Sequence, residues 1–189
     1  MSHQREISEF VQRLKKLLSY NLGKEGCQTT LRRELEIVKE YIALQQMRYD
    51  FIIEMNIEDG SYLDQPTVRM LFQPLVENAI RYGLGDDEKI SIQVFEDVAR
   101  HFAVVTISDS GKGLNQEEID EINQPFDYDW GYWKNENRGI GLRYVKAMLE
   151  SFYDGQTSLF VNSKKGFGTR ITILLPVREP EEKKEKDNR

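Results

Sequence analysis

The chain has 189 residues, 39% hydrophobic and 31% charged, enough for one domain with a real core plus a smaller element. A net charge of −6 and a pI near 5.1 exclude the basic stripe a nucleic-acid binder presents, so no nucleic-acid partner is expected. No apolar run approaches the roughly 18 residues of a membrane span, the polar start is not a signal peptide, and Cys27 alone excludes an internal disulfide or cysteine-based zinc site. A cytosolic-type module, not membrane-embedded, is the expectation.

Ile7, Phe10, Val11, Leu14, Leu17 and Leu18 follow helical spacing and predict a helix over about 5–21, which Asn21, Gly23 and Gly26 end. A second helix is expected after Thr29 or Thr30, with Leu31, Leu35, Val38 and Ile42 on one stripe, running to about Tyr49. The pair reads either as an intramolecular hairpin or as half of a dimeric bundle. From Asp50 the period changes, and Phe51–Ile57 predicts a strand with Asp59-Gly60 as its turn. Pro66 suits the first turn of the next helix, and Pro74 inside that helix is expected to kink or split it.

That helix carries the stretch Phe72–Leu84. Phe72, Leu75, Val76, Ala79 and Ile80 form a buried-type stripe, while Glu77, Asn78 and Arg81 share another face. A carboxylate, an amide and a guanidinium on a firm base suit a metal-bound polyphosphate, although they also fit an ordinary solvated face. Lys89–Phe95 and His101–Ile107 alternate as strands and predict a hairpin through 97–100 that delivers Asp109 at its end. Gln116–Asn123 reads as a short acidic helix, 124–138 as an irregular aromatic and polar segment of the lid kind, and 139–153 as helix again. Strands at about 157–163 and 169–176 close the fold, and the charged tail 178–189 is expected to be disordered.

Three glycine-bearing phrases join the Asn78 helix. Asp109-Ser110-Gly111-Lys112-Gly113 follows a strand: its glycines permit close backbone approach, and its carboxylate can accept from an exocyclic amine such as adenine's. By itself the phrase also fits a common turn. Gly139-Ile140-Gly141-Leu142 opens a helix, where free N–H groups and partial positive charge favour phosphate. It is neither a P-loop, lacking Gly-Lys-Ser/Thr, nor a dinucleotide fingerprint, lacking the strand before it. Gly166-Phe167-Gly168-Thr169 lies between the last two strands, where a plain glycine-rich hairpin is the alternative.

The order and spacing of the four phrases, with about 25 residues between the second and third, resemble the GHKL ATPase/kinase superfamily. There they are the N, G1, G2 and terminal glycine boxes of the Bergerat ATP-binding fold. Gln73-Pro74-Leu75-Val76-Glu77-Asn78-Ala79-Ile80, Gly139–Val145 and the upstream Leu35–Ile42 with Met47-Arg48-Tyr49 resemble the LytS-like sensor histidine kinases, which carry proline at the place of Pro74. The resemblance covers about residues 5–177. It implies a two-layer α/β sandwich, a mixed sheet of about five strands with helices on one face, preceded by a helical segment. The implied division is a partial helical dimerisation or linker region over 1–49, an ATP-binding catalytic domain over 50–177, and the tail 178–189.

The resemblance also implies roles. Asn78 would ligate Mg²⁺ on the ATP phosphates, and Asp109 would read the adenine amine. Gly111 and Gly113 would pass the base. Gly139, Ile140, Gly141 and Leu142 would bring a helix start to the phosphates, with Gly168 and Thr169 closing the site. Arg81 and Tyr82 lie where family members touch nucleotide, and Glu77 is the candidate for orienting water or the metal shell. The implied partners are a response regulator and a second copy of the parent kinase, a cytoplasmic part of a membrane sensor.

Two departures stand out. Tyr144 and Lys146–Leu149 replace the family's Asn-x-x-x-Arg-Leu wording, and the phosphoacceptor-histidine phrase is missing, the only histidines being His3 and His101. His101 reads as a structural residue at the start of a core strand. The sequence therefore reads as the catalytic part of a longer kinase. ATPases of the gyrase or Hsp90 kind place a catalytic Glu four residues before the metal-binding Asn, where this chain has Pro74. A non-catalytic nucleotide-binding scaffold is the other alternative.

Overall fold

The computed structural model describes residues 2–23, 28–84, 89–123 and 140–178. In chain order it runs α1 (Ser2–Asn21), β1 (Gln28–Thr30), α2 (Leu31–Gln46), β2 (Ile52–Ile57), a 3-10 turn (Ser61–Asp64), β3 (Pro66–Val68) and α3 (Gln73–Tyr82). There follow β4 (Lys89–Asp97), β5 (Phe102–Asp109), α4 (Gln116–Asn123), α5 (Ile140–Phe152), β6 (Ser158–Ser163) and β7 (Thr169–Pro176). The alternating stretches became one mixed sheet ordered β2-β4-β5-β7-β6, parallel between β2 and β4 and antiparallel elsewhere.

Alternation decides the layers. Ile90, Ile92 and Val94 of β4, Ala103, Val105 and Ile107 of β5, and Ile171, Ile173 and Leu175 of β7 are buried on one face. Against them pack Leu35, Val38 and Ile42 of α2, Leu75, Val76 and Ala79 of α3, and Leu142, Val145 and Leu149 of α5. The other sheet face turns Gln93, Phe95 and Arg170 outward. The fold is the two-layer α/β arrangement expected, and the α2 stripe enters the same core as the sheet.

Several sequence expectations are corrected. Pro66 opens no helix: it begins β3, which pairs antiparallel with β1 (Gln28 with Val68, Thr30 with Pro66). α3 starts only at Gln73, so Pro74 sits in its first turn, where a missing N–H costs no helical bond, and there is nothing to kink. α2 begins as expected, with Thr30 as its N-cap accepting from Arg33 N–H at 3.2 Å, but it ends at Gln46. His101 lies exposed in the β4–β5 turn at φ 56°, one residue before the strand. Among the described residues, no helix is long and apolar enough to cross a membrane.

Candidate nucleotide site

Sheet register builds the floor of the site. The β5–β7 ladder pairs Asp109 with Thr169, which brings the D-x-G-x-G phrase against the G-x-G-T phrase. Thr169 N–H and Gly111 N–H both donate to Asp109 Oδ1, each at 3.1 Å. That fixes the carboxylate and leaves Oδ2 to a donor in the cleft. Burial pushes the Asp109 carboxyl above the usual aspartate range, and the two amide donors oppose that rise. Gly168 explains why glycine is needed: its φ is +86°, and a Cβ there would stand 2.0 Å from the Asp109 carbonyl oxygen. The end of α3 closes from the other side, where a Cβ on Gly83 would stand 2.4 Å from Asp109 Cγ.

Over this floor lies an open cleft of about 920 Å³, counting its solvent-filled mouth. Leu75 and Ala79 of α3, Ile107 of β5, Ile122 of α4, Leu142 of α5 and Ile171 of β7 make its apolar walls. A slot that is apolar on its faces and carries one fixed acceptor at its base suits a flat heterocycle bearing an amine. α4 is seated by a reciprocal cap: Glu118 N–H donates to Asn115 Oδ1 and Asn115 N–H to Glu118 Oε2, both at 2.9 Å. Lys112 holds its ammonium over the Tyr82 ring, 4.6 Å from its centroid, so a cation and an aromatic face stand together on the cleft wall.

The first turn of α5 meets α3 across the cleft. A Cβ added to Gly141 would come within 3.3 Å of Asn78 Nδ2 and 3.7 Å of Pro74 Cβ, so a helix start faces the Asn78 amide at close range. Free N–H groups of such a start favour an anion. Among the described residues there is no group of three or more His, Cys, Asp or Glu able to hold a metal. A cation here would draw on Asn78, with phosphate and water completing its shell, which suits magnesium's habit of keeping few protein ligands.

The structure brings Asn78, Tyr82, Asp109, Gly113, Leu142 and Thr169 together in the cleft lining, with Gly111, Gly141 and Gly168 as close backbone around it. Glu77 and Arg81 are exposed and stand outside that lining. Helical phase separates them: one step from Glu77 turns the chain by about 100°, which sends Asn78 inward and leaves Glu77 toward Tyr41 of α2. Gly139 and the segment with Tyr128, Trp130 and Trp133 lie outside the described residues, as does the Ile140 side chain. Sequence reasoning missed Gly83, Lys112 and Arg143 as cleft residues. Each lies inside a recognised stretch, and that place in the stretch was the available signal.

Residues 63–179 match the family described as histidine kinase-, DNA gyrase B-, and HSP90-like ATPase, and residues 1–52 match a histidine kinase family. The sensor protein kinase HptS of Staphylococcus aureus (strain bovine RF122 / ET3-1) is 30% identical over 168 residues, covering 88% of this chain and 32% of that protein. The chain thus spans about a third of the length of the curated relatives it matches. Among solved structures, the Acinetobacter baumannii histidine kinase AdeS aligns with a TM-score of 0.57 at 19% identity, over 94% of this chain and 82% of that one. The mycobacterial sensor histidine kinase MprB aligns at 0.54 and 18%, over 81% and 98%. At such identities the likeness is one of fold.

Proposed function

We propose, for a chain that belongs to the family of histidine kinase-, DNA gyrase B- and HSP90-like ATPases, that it is the ATP-binding catalytic part of a two-component sensor histidine kinase. The observation that carries this reading is the pairing of a fixed Asp109 carboxylate at the base of an apolar slot with Asn78 facing the α5 start at its mouth. Asp109 Oδ2 accepts from the adenine amine, and the apolar walls hold the ring. The first amides of α5 and the Lys112 ammonium meet phosphate oxygens. Asn78 is the side chain that holds Mg²⁺, whose charge offsets that of the phosphates. The protein supplies position and charge, and the γ-phosphoryl group passes to a kinase histidine and then to an aspartate of a response regulator.

The geometry favours kinase over the gyrase-type ATPase. Four residues before Asn78 stands Pro74, which has no base to offer, and Glu77 faces away from the cleft. His101 is no acceptor for this site, because eight residues at about 3.4 Å each put it roughly 27 Å along β5 from Asp109. For the second copy, the support is the α1 stripe, where Ile7, Val11 and Leu18 are 58%, 56% and 49% exposed. Membership of a membrane sensor, with this part in the cytoplasm, completes the proposal.

Calorimetry with a non-hydrolysable ATP analogue tests the reading. Asn78→Ala is expected to weaken binding in Mg²⁺ by roughly 100-fold or more, since even outer-shell partners of a metal are worth about 10–100-fold. Thermal unfolding should stay close to that of the parent. Unchanged affinity in Mg²⁺ would remove Asn78 from the site.

A further inference from the structure

Glu34 is a buried carboxylate that the nucleotide site does not use. It sits in the first turn of α2 at 1% exposure. Three donors from two other parts of the chain converge on it. The Tyr20 hydroxyl, from the last turn of α1, donates to Oε1, Met70 N–H donates to the same oxygen at 2.9 Å, and Leu71 N–H donates to Oε2 at 2.9 Å. Leu71 and Phe72 are then fully buried, and Phe72 is the N-cap of α3.

The same junction is tied twice more. Arg69 donates through Nη1 to the Tyr20 carbonyl at 2.8 Å and lays its guanidinium 4.6 Å from the Tyr20 ring centroid, capping the end of α1. Gly23 leaves the room for this, because a Cβ there would stand 1.9 Å from Arg69 Nη1. Met70, held by Glu34, has φ 58°, a conformation that a non-glycine residue keeps only where its surroundings over-determine it. On the far side, Tyr153, just past α5, donates its hydroxyl to Pro66 O at 3.2 Å.

We infer that Glu34 is a positioning residue that makes the docking of the α1 end and the seating of the α3 start a single event, so that displacement of α1 is felt at the cleft. Three donors on two oxygens require an acceptor-only group, which a carboxylate is and an amide is not. Burial raises the Glu34 carboxyl's pKa, and the hydroxyl and amide donors oppose the rise. Remove one donor and the remaining contacts sit on an under-satisfied buried charge, so each arm depends on the others. The segment 69–72 is too short to absorb a shift, and α3 begins directly after it, with Asn78 in its second turn. That the shift reaches nucleotide rests on the function proposed above, whereas the coupling of α1 to α3 does not.

Hydrogen exchange on the full chain tests this, first without nucleotide. Tyr20→Phe keeps the ring and removes only the donor. It should speed exchange at Met70, Leu71 and through α3 by roughly tenfold, the size of one lost buried hydrogen bond, while β4 and β5 stay unchanged. Faster exchange confined to α1 would overturn the inference. Glu34→Gln should affect the same amides, and the double variant should do no more than the larger single change, since both break one clasp. Effects that add fully would count against it. If Glu34→Gln does not fold, Tyr20→Phe alone still decides. A second arm adds a non-hydrolysable ATP analogue with Mg²⁺: by reciprocity it should slow exchange at residues 17–21 in the parent and fail to do so in Tyr20→Phe. Binding without that response overturns the reach to the cleft. Coupled exchange in a chain that binds no analogue would confirm the clasp and sink the nucleotide reading instead.

Discussion

α1 and α3 are both amphipathic helices, yet they use their apolar faces in opposite ways. α3 buries most of its stripe: Leu75 and Val76 are 0% exposed and Ala79 4%, against the sheet and α5, with Ile80 partly buried. α1 leaves Ile7, Phe10, Val11 and Leu14 in solvent and buries only Leu17 and Tyr20, against Ile37 of α2. What faces α2 from the rest of α1 is charge, with Arg13 and Lys16 each 2.7 Å from Glu40. Apolar periodicity therefore specifies a helix and a face but not the partner of that face. The partner follows from what the neighbouring elements can cover. Because α3 is buried along its stripe, its cleft side can hold Asn78 in a fixed position, whereas α1 has its buried apolar contact only at its C-terminal end.

The largest expected effect tests the α3 half of the contrast. Leu75→Ala removes a fully buried side chain that also walls the cleft, and is expected to cost about 2–5 kcal/mol of stability, read from denaturant midpoints. A loss below about 1 kcal/mol would mean that α3 is not the rigid base described, and the contrast with α1 would fail.

Much of this architecture was legible beforehand, and the gaps have physical causes. Strands β4 to β7 were visible because one face is buried and the other is not, so period two shows plainly. The parallel pairing of β2 with β4 was not, since alternation names a face and never a neighbour. The β1–β3 ladder was missed because three residues are too few to show a period, and Pro66 pointed to a helix start. In the cleft, Asn78, Asp109 and the glycines were legible only as a set, because each phrase alone fits a common turn or solvated face while the order and spacing of the four do not. Ile107, Ile122 and Ile171 were not, because an apolar wall and a core residue look identical in sequence. Glu34 was not legible as a buried acceptor. Its burial depends on Tyr20 and on Met70 and Leu71, far away in the chain.

An intermediate effect sharpens the comparison at the end of α3, where Gly83 packs on Asp109. Asp109→Asn is expected to weaken the ATP analogue by about tenfold, or ~1.4 kcal/mol. The pH dependence carries more information. The amine of adenine needs the charged acceptor, so binding is lost as pH falls through the Asp109 pKa. Burial raises that pKa, so the loss begins above the ordinary aspartate value of about 3.9. Subtracting the Asp109→Asn profile cancels the titration of the nucleotide itself. Folding responds in the opposite sense: the folded chain binds this proton more readily than the unfolded one, so the group favours folding more as pH falls. A difference profile flat down to about pH 4 would mean the carboxylate does not read the ligand.

The smallest expected effect examines the α1 half. Val11 is 56% exposed on the outward stripe, so Val11→Gln is expected to change the stability of the isolated chain by no more than about 0.5 kcal/mol. If a second copy covers the stripe, the parent's unfolding midpoint rises with protein concentration and the variant's rises less, because an association that favours the folded state stabilises it by mass action. The low-concentration limit isolates the monomer. A loss there of about 1.5–3 kcal/mol, the worth of a fully buried Val side chain, would show that the chain itself covers this face. α1 would then be a second α3, seated along its whole length, and Tyr20 would be one contact among many rather than the point at which the helix is held.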